Sequence, residues 1–319
     1  MTERDDETRD VVVVGGGAAG LSAALTLARA RRSVTVVDAG EPRNAPADGV
    51  HGLLGLEGTN PGELLARGRD EVVGYGGEIL PGEVAGVSGV PDEFSVALRD
   101  GPVLRARRLL IATGLVDELP DIPGVREQWG HGVLHCPYCH GWEVRDRRIG
   151  VLGTDPMAFH KVMLFRQWSP DVVFFANGNP IEPQDRTTLN ALDAQVVEGV
   201  ISRLEIDGDE LSGVRLDGGA TVPVDAVVVS TRMVARTDVV AGIGISPTTH
   251  PAGAFIETDQ FGATSVPGVW AAGNSSDIGA QVSNAAADGA RAAQHINTDL
   301  IMKDLERAVS AAAADEGDN

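Results

Sequence analysis

The stretch that decides the fold of this chain is Val11-Val12-Val13-Val14-Gly15-Gly16-Gly17-Ala18-Ala19-Gly20. Four consecutive β-branched residues are typical of a strand that is buried on both faces, as in a parallel sheet. The glycines follow at G-x-G-x-x-G spacing and lead into a helical stretch and then a second strand that ends at Asp38. A strand, a glycine turn, a helix and an acid about twenty residues on make a complete dinucleotide-binding unit.

Each position of this unit has its own physical role. Gly15 allows the tight turn, Gly17 lets the backbone approach a pyrophosphate, and Gly20 lets the helix pack on the strand. The start of the helix, which includes Ala19, stabilises the phosphate charge. Asp38 is placed to accept hydrogen bonds from a ribose. We therefore predict that these five residues bind a dinucleotide cofactor.

The only two cysteines of the chain, Cys136 and Cys139, stand close together near its middle. Two thiols at this spacing can open and close a disulfide, and nearby cations raise the fraction of reactive thiolate. A zinc site is an alternative, with His131, His135 and His140 as further ligands, but neighbours on one short loop converge poorly. A structural disulfide is a weaker reading, because closing so short a loop gains little entropy. The spacing favours redox chemistry without a metal.

Composition limits the classes of partner. A chain of 319 residues is long enough for two domains with separate cores. A formal net charge of −20 disfavours nucleic acid and anionic membranes. The sequence has no apolar run of membrane length, and its first ten residues are charged, unlike a signal peptide. We expect a cytoplasmic protein, where a cysteine pair is usually catalytic.

The remaining chain carries three further signals. Residues 41–60 form a loop that is too long for a connector, and its Arg43, Asn44 and His51 are candidates to touch a cofactor. A second strand–helix–strand unit follows the cysteines, at residues 148–175. From about residue 233 the chain returns to its first domain and ends in a long alanine-rich helix.

Together these features resemble the low-molecular-weight thioredoxin reductase family of flavoproteins, over nearly the whole chain. The likeness is carried by the first glycine unit with Asp38, by Ala112-Thr113-Gly114, by the cysteine pair and by Thr264-Ser265-Val266-Pro267-Gly268-Val269-Trp270-Ala271-Ala272-Gly273. It implies an α/β fold of two Rossmann-like, three-layer ββα domains. Residues 1–116 and 234–319 would form an FAD-binding domain, and residues 117–233 an inserted domain that carries the cysteines.

The resemblance also implies FAD as the cofactor and a homodimer formed through the FAD domain. Thr113 and Gly114 match one cofactor-binding element, and Gly273, Asn274 and Gln281 match another. Asn274 occupies the place of an aspartate that usually holds the ribityl chain, so it can bind a hydroxyl but without charge. Gln281 lies where the backbone of the family meets the flavin ring.

Departures from the family bear on function. A reductase needs a second glycine loop for NADPH, but the matching run here is Gly153-Thr154-Asp155-Pro156-Met157-Ala158. Asp155 would set a carboxylate against a pyrophosphate, opposing binding by about 1 kcal/mol in water and by several when the site is partly desolvated. Residues 175–180 also lack the basic side chains that hold the 2′-phosphate. We predict a degenerate NADPH site; a divergent pocket that uses Arg166 or Arg186 is the alternative.

The residue after the second cysteine is His140, where reductases have an acid. The run Cys-Pro-Tyr-Cys-His-Gly-Trp-Glu, with the Arg43-Asn44-Ala45 and Val50-His51-Gly52 segments, resembles the dithiol oxidases of the gliotoxin and holomycin pathways. This implies an FAD-dependent oxidase that closes a disulfide in a small-molecule dithiol. Electrons would pass through the cysteines and FAD to O2, giving H2O2. His140 is the preferred base, with His135 and His51 as alternatives.

Two rival functions stay open from the sequence. One is a disulfide reductase of the same fold that uses NADPH or another donor, such as ferredoxin or reduced flavin. The acidic surface disfavours an acidic ferredoxin. The other is a flavin-binding redox sensor without catalysis. Nothing in the loops identifies which dithiol would be the substrate.

Overall fold

The computed structural model describes residues 8–155 and 158–317. The helices within them are α1 (Ala18–Arg29), α2 (Pro61–Gly74), α3 (Pro137–His140), α4 (Ala158–Phe165), α5 (Pro183–Ala191) and α6 (Val282–Gly317). The strands are β1 (Arg9–Val14), β2 (Val34–Asp38), β3 (Glu78–Pro81), β4 (Val84–Ser88), β5 (Phe94–Leu98), β6 (Val103–Ile111), β7 (Leu115–Glu118), β8 (Val133–Leu134), β9 (Ile149–Leu152), β10 (Val172–Phe175), β11 (Gln195–Val197), β12 (Ile201–Asp207), β13 (Glu210–Leu216), β14 (Thr221–Pro223), β15 (Ala226–Val228), β16 (Arg232–Ala235), β17 (Thr248–His250), β18 (Gly253–Phe255) and β19 (Val269–Ala271).

The described chain divides into two compact units. Pro46–Asn60 and Asp117–Arg232 form the second unit, and the remaining described residues form the first. The sequence had assigned residues 46–60 to the first domain, and this assignment is corrected. The loop belongs to the second unit because it has partners there: His51 faces Glu143 at 3.6 Å, and Gly130 lies directly against Pro46.

β1 lies inside the main sheet of the first unit, whose strand order is β3-β2-β1-β6-β5-β4 with β19 also paired to β6. The valines of β1 are at most 4% exposed, as predicted for a strand covered on both faces. Val11 and Val13 pack into the core with residues of α1 and α6, whereas Val12 and Val14 pack into a separate core with residues of β4 and β5. β1, β2, β6 and β19 run parallel to one another, so their carboxyl ends meet at one edge.

The second unit is built on the parallel sheet β11-β10-β9-β15-β8, accompanied by the antiparallel sheet β12-β13-β14. The predicted strand–helix–strand unit at residues 148–175 is confirmed as β9, α4 and β10. The pattern of apolar residues predicts this helix over Met157–Trp168; Met157 lies outside the described residues, and the helix ends earlier, at Phe165. α5 was not predicted, because its weak hydrophobic pattern buries only Leu189.

α6 continues to Gly317, and ion pairs within the first unit hold its distal half. The guanidinium of Arg108, on β6, is buried and bonds both Asp92 and Asp299. Arg107 bonds Asp304 at 2.5 Å, and Arg32 bonds the same carboxylate at 2.9 Å. No helix in the described ranges combines the length and the apolar character needed to cross a bilayer.

Candidate active site

The cysteine pair lies where the chain leaves β8 and turns into α3. Cys136 has extended backbone (φ −102°, ψ 117°) and precedes the helix, and Pro137 occupies the first helical position, where its missing N–H costs nothing. Cys136 and Cys139 form a disulfide with a Cα–Cα distance of 5.3 Å. Among the described residues, no group of three or more His, Cys, Asp or Glu side chains is arranged to hold a metal ion. The pair is therefore arranged for reversible disulfide chemistry.

His140 follows the second cysteine and ends the same helical turn. Its backbone N–H donates to the carbonyl of Cys136 at 3.2 Å. Both ring nitrogens are buried and lack a hydrogen-bond partner within the described residues. Burial is the main cause that lowers the pKa of His140, with opposing contributions from Glu143 and Asp48. A buried, neutral imidazole beside a disulfide has a lone pair available to accept a thiol proton.

The other two candidate bases are differently placed. His51 lies between two carboxylates, with Nδ1 at 2.6 Å from Glu57 and Nε2 at 3.6 Å from Glu143. The ring of His135 stacks on Trp129, with 6.1 Å between the centroids. The sequence grouped His51 with the cofactor-binding residues, but the structure places it in the compact unit that holds the redox loop. These surroundings favour His140 as the base.

Aromatic side chains of the redox loop are exposed. Tyr138, between the cysteines, is 64% exposed and contacts Trp168 edge-on. Trp142 is 65% exposed, and the guanidinium of Arg145 lies 4.3 Å from its ring centroid. Their exposure next to the disulfide provides flat apolar surface for a small ligand.

Two side chains of the second unit form hydrogen bonds at the edge where a nucleotide could bind. The Asp155 carboxylate accepts a hydrogen bond from the Ala158 N–H at 3.1 Å and so caps the start of α4. Asn179 Nδ2 donates to the Gly153 carbonyl at 2.7 Å, which ties the loop after β10 to the loop after β9. Pro156 and Met157, the other predicted positions of this loop, lie outside the described residues. A dinucleotide would have to displace both bonds.

The two arginines considered for a divergent NADPH pocket form contacts with other parts of the second unit. Arg166 donates to the Ser169 carbonyl at 3.0 Å, beyond the far end of α4. Arg186 pairs with Glu198 at 2.7 Å, and both side chains are substantially exposed. Neither contact directs a guanidinium toward residues 153–155. The described residues therefore give no support to a divergent pocket built on these two arginines.

The corresponding edge of the first unit is open. No side chain of the described residues caps α1, and a Cβ built on Gly17 would meet nothing within 4 Å. Gly15 has a positive φ of 111° and lies against the Ala112 carbonyl, whereas Gly20 lies against the Gly15 carbonyl. Gly15 and Gly20 thus serve the turn and the packing, and Gly17 leaves space before the helix N-terminus. A cradle of this shape fits a pyrophosphate.

Asp38 has neighbours that sequence reasoning missed. Its Oδ2 accepts hydrogen bonds from Arg69 of α2, at 2.9 and 3.1 Å, and its Oδ1 accepts the Gly40 N–H at 2.9 Å. Gly16 is a variable position of the motif, yet a Cβ there would collide with the Asp38 carboxylate. Arg69 fixes the carboxylate and leaves further lone pairs for ribose hydroxyls. No motif spacing links residues 38 and 69, so the sequence carried no signal for this pair.

The ends of β6 and β19 bring the remaining predicted cofactor residues to the same edge. Ser275, also missed by sequence reasoning, is fully buried and accepts the Gly114 N–H at 3.0 Å. Thr113 Oγ1 donates to the Arg236 carbonyl at 2.9 Å. Asn274 Nδ2 donates to two carbonyls, those of Asp277 and Ala280. Its amide hydrogens are thereby used within the turn, so only Oδ1 is left to accept a ligand hydroxyl.

Four other predicted residues complete this set. Gly273 has a positive φ of 66° and lies against Ala19, so strand end and helix start are in contact. The backbone N–H of Gln281 donates to Asn284 Oδ1 at 3.4 Å at the start of α6. Arg43 and Asn44 are half-buried in the loop after β2, in the first unit. The open cradle and these strand ends fit a dinucleotide such as FAD.

Comparison with known proteins adds independent information. The sequence model of a family described as pyridine nucleotide-disulphide oxidoreductase matches residues 9–289. A protein named thioredoxin reductase tcpT, from Claviceps purpurea (strain 20.1), is 32% identical and covers 92% of this chain and 94% of its own length. The crystal structure of HlmI is 48% identical with a TM-score of 0.91, covering 97% of each chain. An oxidoreductase from Agrobacterium tumefaciens is 34% identical with a TM-score of 0.88, covering 93% and 99%.

Proposed function

The chain belongs to the pyridine nucleotide-disulphide oxidoreductase family, and within that family we propose that it is an oxidase of small-molecule dithiols. It is an oxidoreductase that acts on sulfur groups, and FAD is the cofactor of this family. One observation supports this proposal most strongly. Asp155 and Asn179 form hydrogen bonds within the protein at the edge where a nucleotide would bind, whereas the Cys136–Cys139 disulfide is present. Electrons then enter from thiols rather than from NADPH.

The proposed chemistry begins at the disulfide. A substrate thiolate attacks the sulfur of Cys136, forms a mixed disulfide and releases Cys139 as a thiolate. The second thiol of the substrate then loses its proton and attacks the substrate sulfur of that mixed disulfide. The product leaves with its own disulfide, and the enzyme pair is left reduced by two electrons. The exposed rings of Tyr138 and Trp142 offer the substrate a contact surface.

His140 is the proposed base for the substrate's thiol protons. Its buried position favours the neutral imidazole, because burial disfavours the charged form. Since the folded pKa is below the ordinary value of about 6.5, the base stays unprotonated throughout the neutral range. We expect His140→Ala to lower dithiol turnover at neutral pH by about 10²- to 10⁴-fold. Turnover unchanged from the wild type would assign the base elsewhere, with His135 and His51 next to be tested.

The residues that would hold FAD are those of the first unit described above. The open start of α1 at Gly17 would face the pyrophosphate, Asp38 would face the ribose, and the strand ends at Gly114 and Asn274 would hold the remainder of the cofactor. Bound FAD would supply the acceptor for the two electrons of the reduced pair, with O2 as the final acceptor and H2O2 as the product. The predicted homodimer remains part of this proposal, as does the assignment of FAD binding to the first unit, without residues 46–60.

The test is oxygen consumption by the FAD-loaded protein with dithiothreitol as the probe. We expect O2 uptake and peroxide in equal amounts without NADPH, and none with Cys139→Ser, which cannot form the disulfide. The Cys-Pro-Tyr-Cys-His motif, which resembles that of the dithiol oxidases, supports this outcome over the reductase. Consumption of NADPH with a disulfide substrate, or bleaching of the flavin by NADPH alone, would instead identify a reductase. If the protein shows neither activity, it is a flavin-binding protein without catalysis.

A further inference from the structure

A lysine that no motif pointed to lies against the start of the redox loop. Lys161, in the middle of α4, donates through Nζ to the carbonyl of His135 at 2.9 Å and to the carbonyl of Val229 at 2.8 Å. These carbonyls follow β8 and β15, which are parallel neighbours with Leu134 opposite Val228. One ammonium group therefore joins two strand ends at the point where the chain turns into Cys136.

The choice of lysine here is informative, because this chain otherwise uses arginine for positive charge. Lys161 and Lys303 are the only lysines among its 26 lysine and arginine residues. Lys303 is an exposed residue of α6 that pairs with Glu306. An ammonium is a compact donor that fits between two carbonyl oxygens, whereas a guanidinium is planar and larger. The space between the two carbonyl oxygens therefore suits a lysine better than an arginine.

The surroundings of this group act on its charge in opposite directions. Burial lowers the pKa of Lys161 to about 8, while Asp155 and Asp117 act to raise it. The ammonium is thus largely protonated at neutral pH, one peptide unit away from Cys136. The charged and titratable groups that act on the same loop from other segments are Glu143, Asp48 and His51, through their effect on His140.

We propose that Lys161 is a positioning residue of the redox pair, which fixes Cys136 through the His135 carbonyl and stabilises the thiolate that Cys136 becomes when the second substrate thiolate displaces it from the mixed disulfide. In that step the bond between Cys136 and the first substrate sulfur breaks, the bond between the two substrate sulfurs forms, and the enzyme pair is left reduced by two electrons. A cation one peptide unit from Cys136 stabilises the thiolate relative to the thiol. The role does not depend on whether O2 or another acceptor later reoxidises the pair.

The test uses the fact that the chain has no cysteines besides this pair. Cys139→Ser leaves Cys136 as the single thiol, and Cys136→Ser leaves Cys139. The rate of alkylation by iodoacetamide is measured against pH in each background, with Lys161 intact and with Lys161→Gln. We expect Lys161→Gln to slow alkylation of Cys136 at neutral pH by about tenfold and to move its midpoint to higher pH. Cys139 should change by less than about threefold, and Lys303→Gln should change neither thiol.

A second measurement guards against loss of folding. In the Cys139→Ser protein with Lys161 intact, Cys136 should titrate below the ordinary thiol value of about 8.5. A Cys136 that titrates at the ordinary value overturns the proposal whether or not the lysine variant folds. In a folded Lys161→Gln protein, an unchanged Cys136 profile, or equal changes at both cysteines, also overturns it. Because alkylation needs neither O2 nor a substrate, these results are separate from the test of oxidase activity.

Discussion

The β1–α1–β2 segment of the first unit and the β9–α4–β10 segment of the second have the same local architecture, and they differ at the helix N-terminus. Before α1, Gly17 leaves open space and no described side chain caps the helix. Before α4, the Asp155 carboxylate bonds the Ala158 N–H and Asn179 bonds the Gly153 carbonyl. The positive end of a helix can bind a phosphate or a carboxylate of the protein, but not both in the same place.

The two segments therefore share a dinucleotide-type fold but offer a phosphate different surroundings at the helix N-terminus. The second unit has parallel strands and a buried core, with Ile149, Val151 and Val173 fully buried. The hydrogen bonds that set it apart lie in the loops that follow β9 and β10. The same unit also holds the Cys136–Cys139 disulfide.

The change in FAD affinity should be largest when an aspartate, as found at position 155 of the second segment, is placed before α1 in the first. Gly17→Asp should fold, because a Cβ at this position meets nothing within 4 Å. Its carboxylate would face the cofactor phosphates, so FAD affinity should fall by at least about 100-fold, the factor that a few kcal/mol of like-charge repulsion gives. Flavin absorbance per protein after gel filtration measures this, with Gly17→Ala as the matched control. Full flavin content in the aspartate variant would show that the open start of α1 does not hold the cofactor phosphates.

The reciprocal change concerns the cap of the second segment. Asp155→Ala removes the acceptor for the Ala158 N–H, and loss of such a cap costs about 1 kcal/mol. Amide hydrogens at the start of α4 should then exchange about fivefold faster, as hydrogen–deuterium exchange can measure. Asp155→Asn retains an acceptor oxygen and should restore most of the protection. Equal exchange in all three proteins would show that the carboxylate does not cap the helix.

A smaller effect is expected where Arg69 holds Asp38. Arg69→Ala should weaken FAD binding by about two- to fivefold, because a partly exposed ion pair contributes up to about 1 kcal/mol. Arg67 lies on the same helix and pairs with Glu63 at the surface, so Arg67→Ala is a matched control that should leave FAD affinity unchanged. Titration of the cofactor-free protein with FAD distinguishes them. If both variants bind FAD with the same affinity, Arg69 does not contribute to the cofactor site.

The smallest effect is expected at the arginine considered for a divergent NADPH pocket. Arg186 and Glu198 form an exposed pair, so Arg186→Ala should change stability by less than about 0.5 kcal/mol. Binding of NADPH, followed by calorimetry, should be equally weak with and without this side chain. A wild-type protein that binds NADPH tightly, and loses that binding in the variant, would restore the nucleotide site to the second unit.

Much of the fold was predictable because it depends on local patterns. The valine run of β1, the glycine spacing and the strand–helix–strand pattern at residues 148–175 each predict an element from neighbours in sequence, and the structure contains them. α5 was missed since its helix buries a single leucine. The grouping of residues 46–60 with the second unit was also missed, because the contact between His51 and Glu143 joins residues far apart in the chain.

The chemistry available to this protein can be read from its residues. The chain contains one cysteine pair, an imidazole directly after it, one intact glycine loop and one in which an aspartate replaces a glycine. How these groups are used depends on the folded arrangement of distant segments. This arrangement directs the Asp155 carboxylate to a helix N-terminus, Arg69 to Asp38, and the ammonium of Lys161 to the carbonyl before Cys136. The physical reason is that hydrogen bonds and ion pairs between distant segments depend on where folded strands end, and no residue spacing encodes that position.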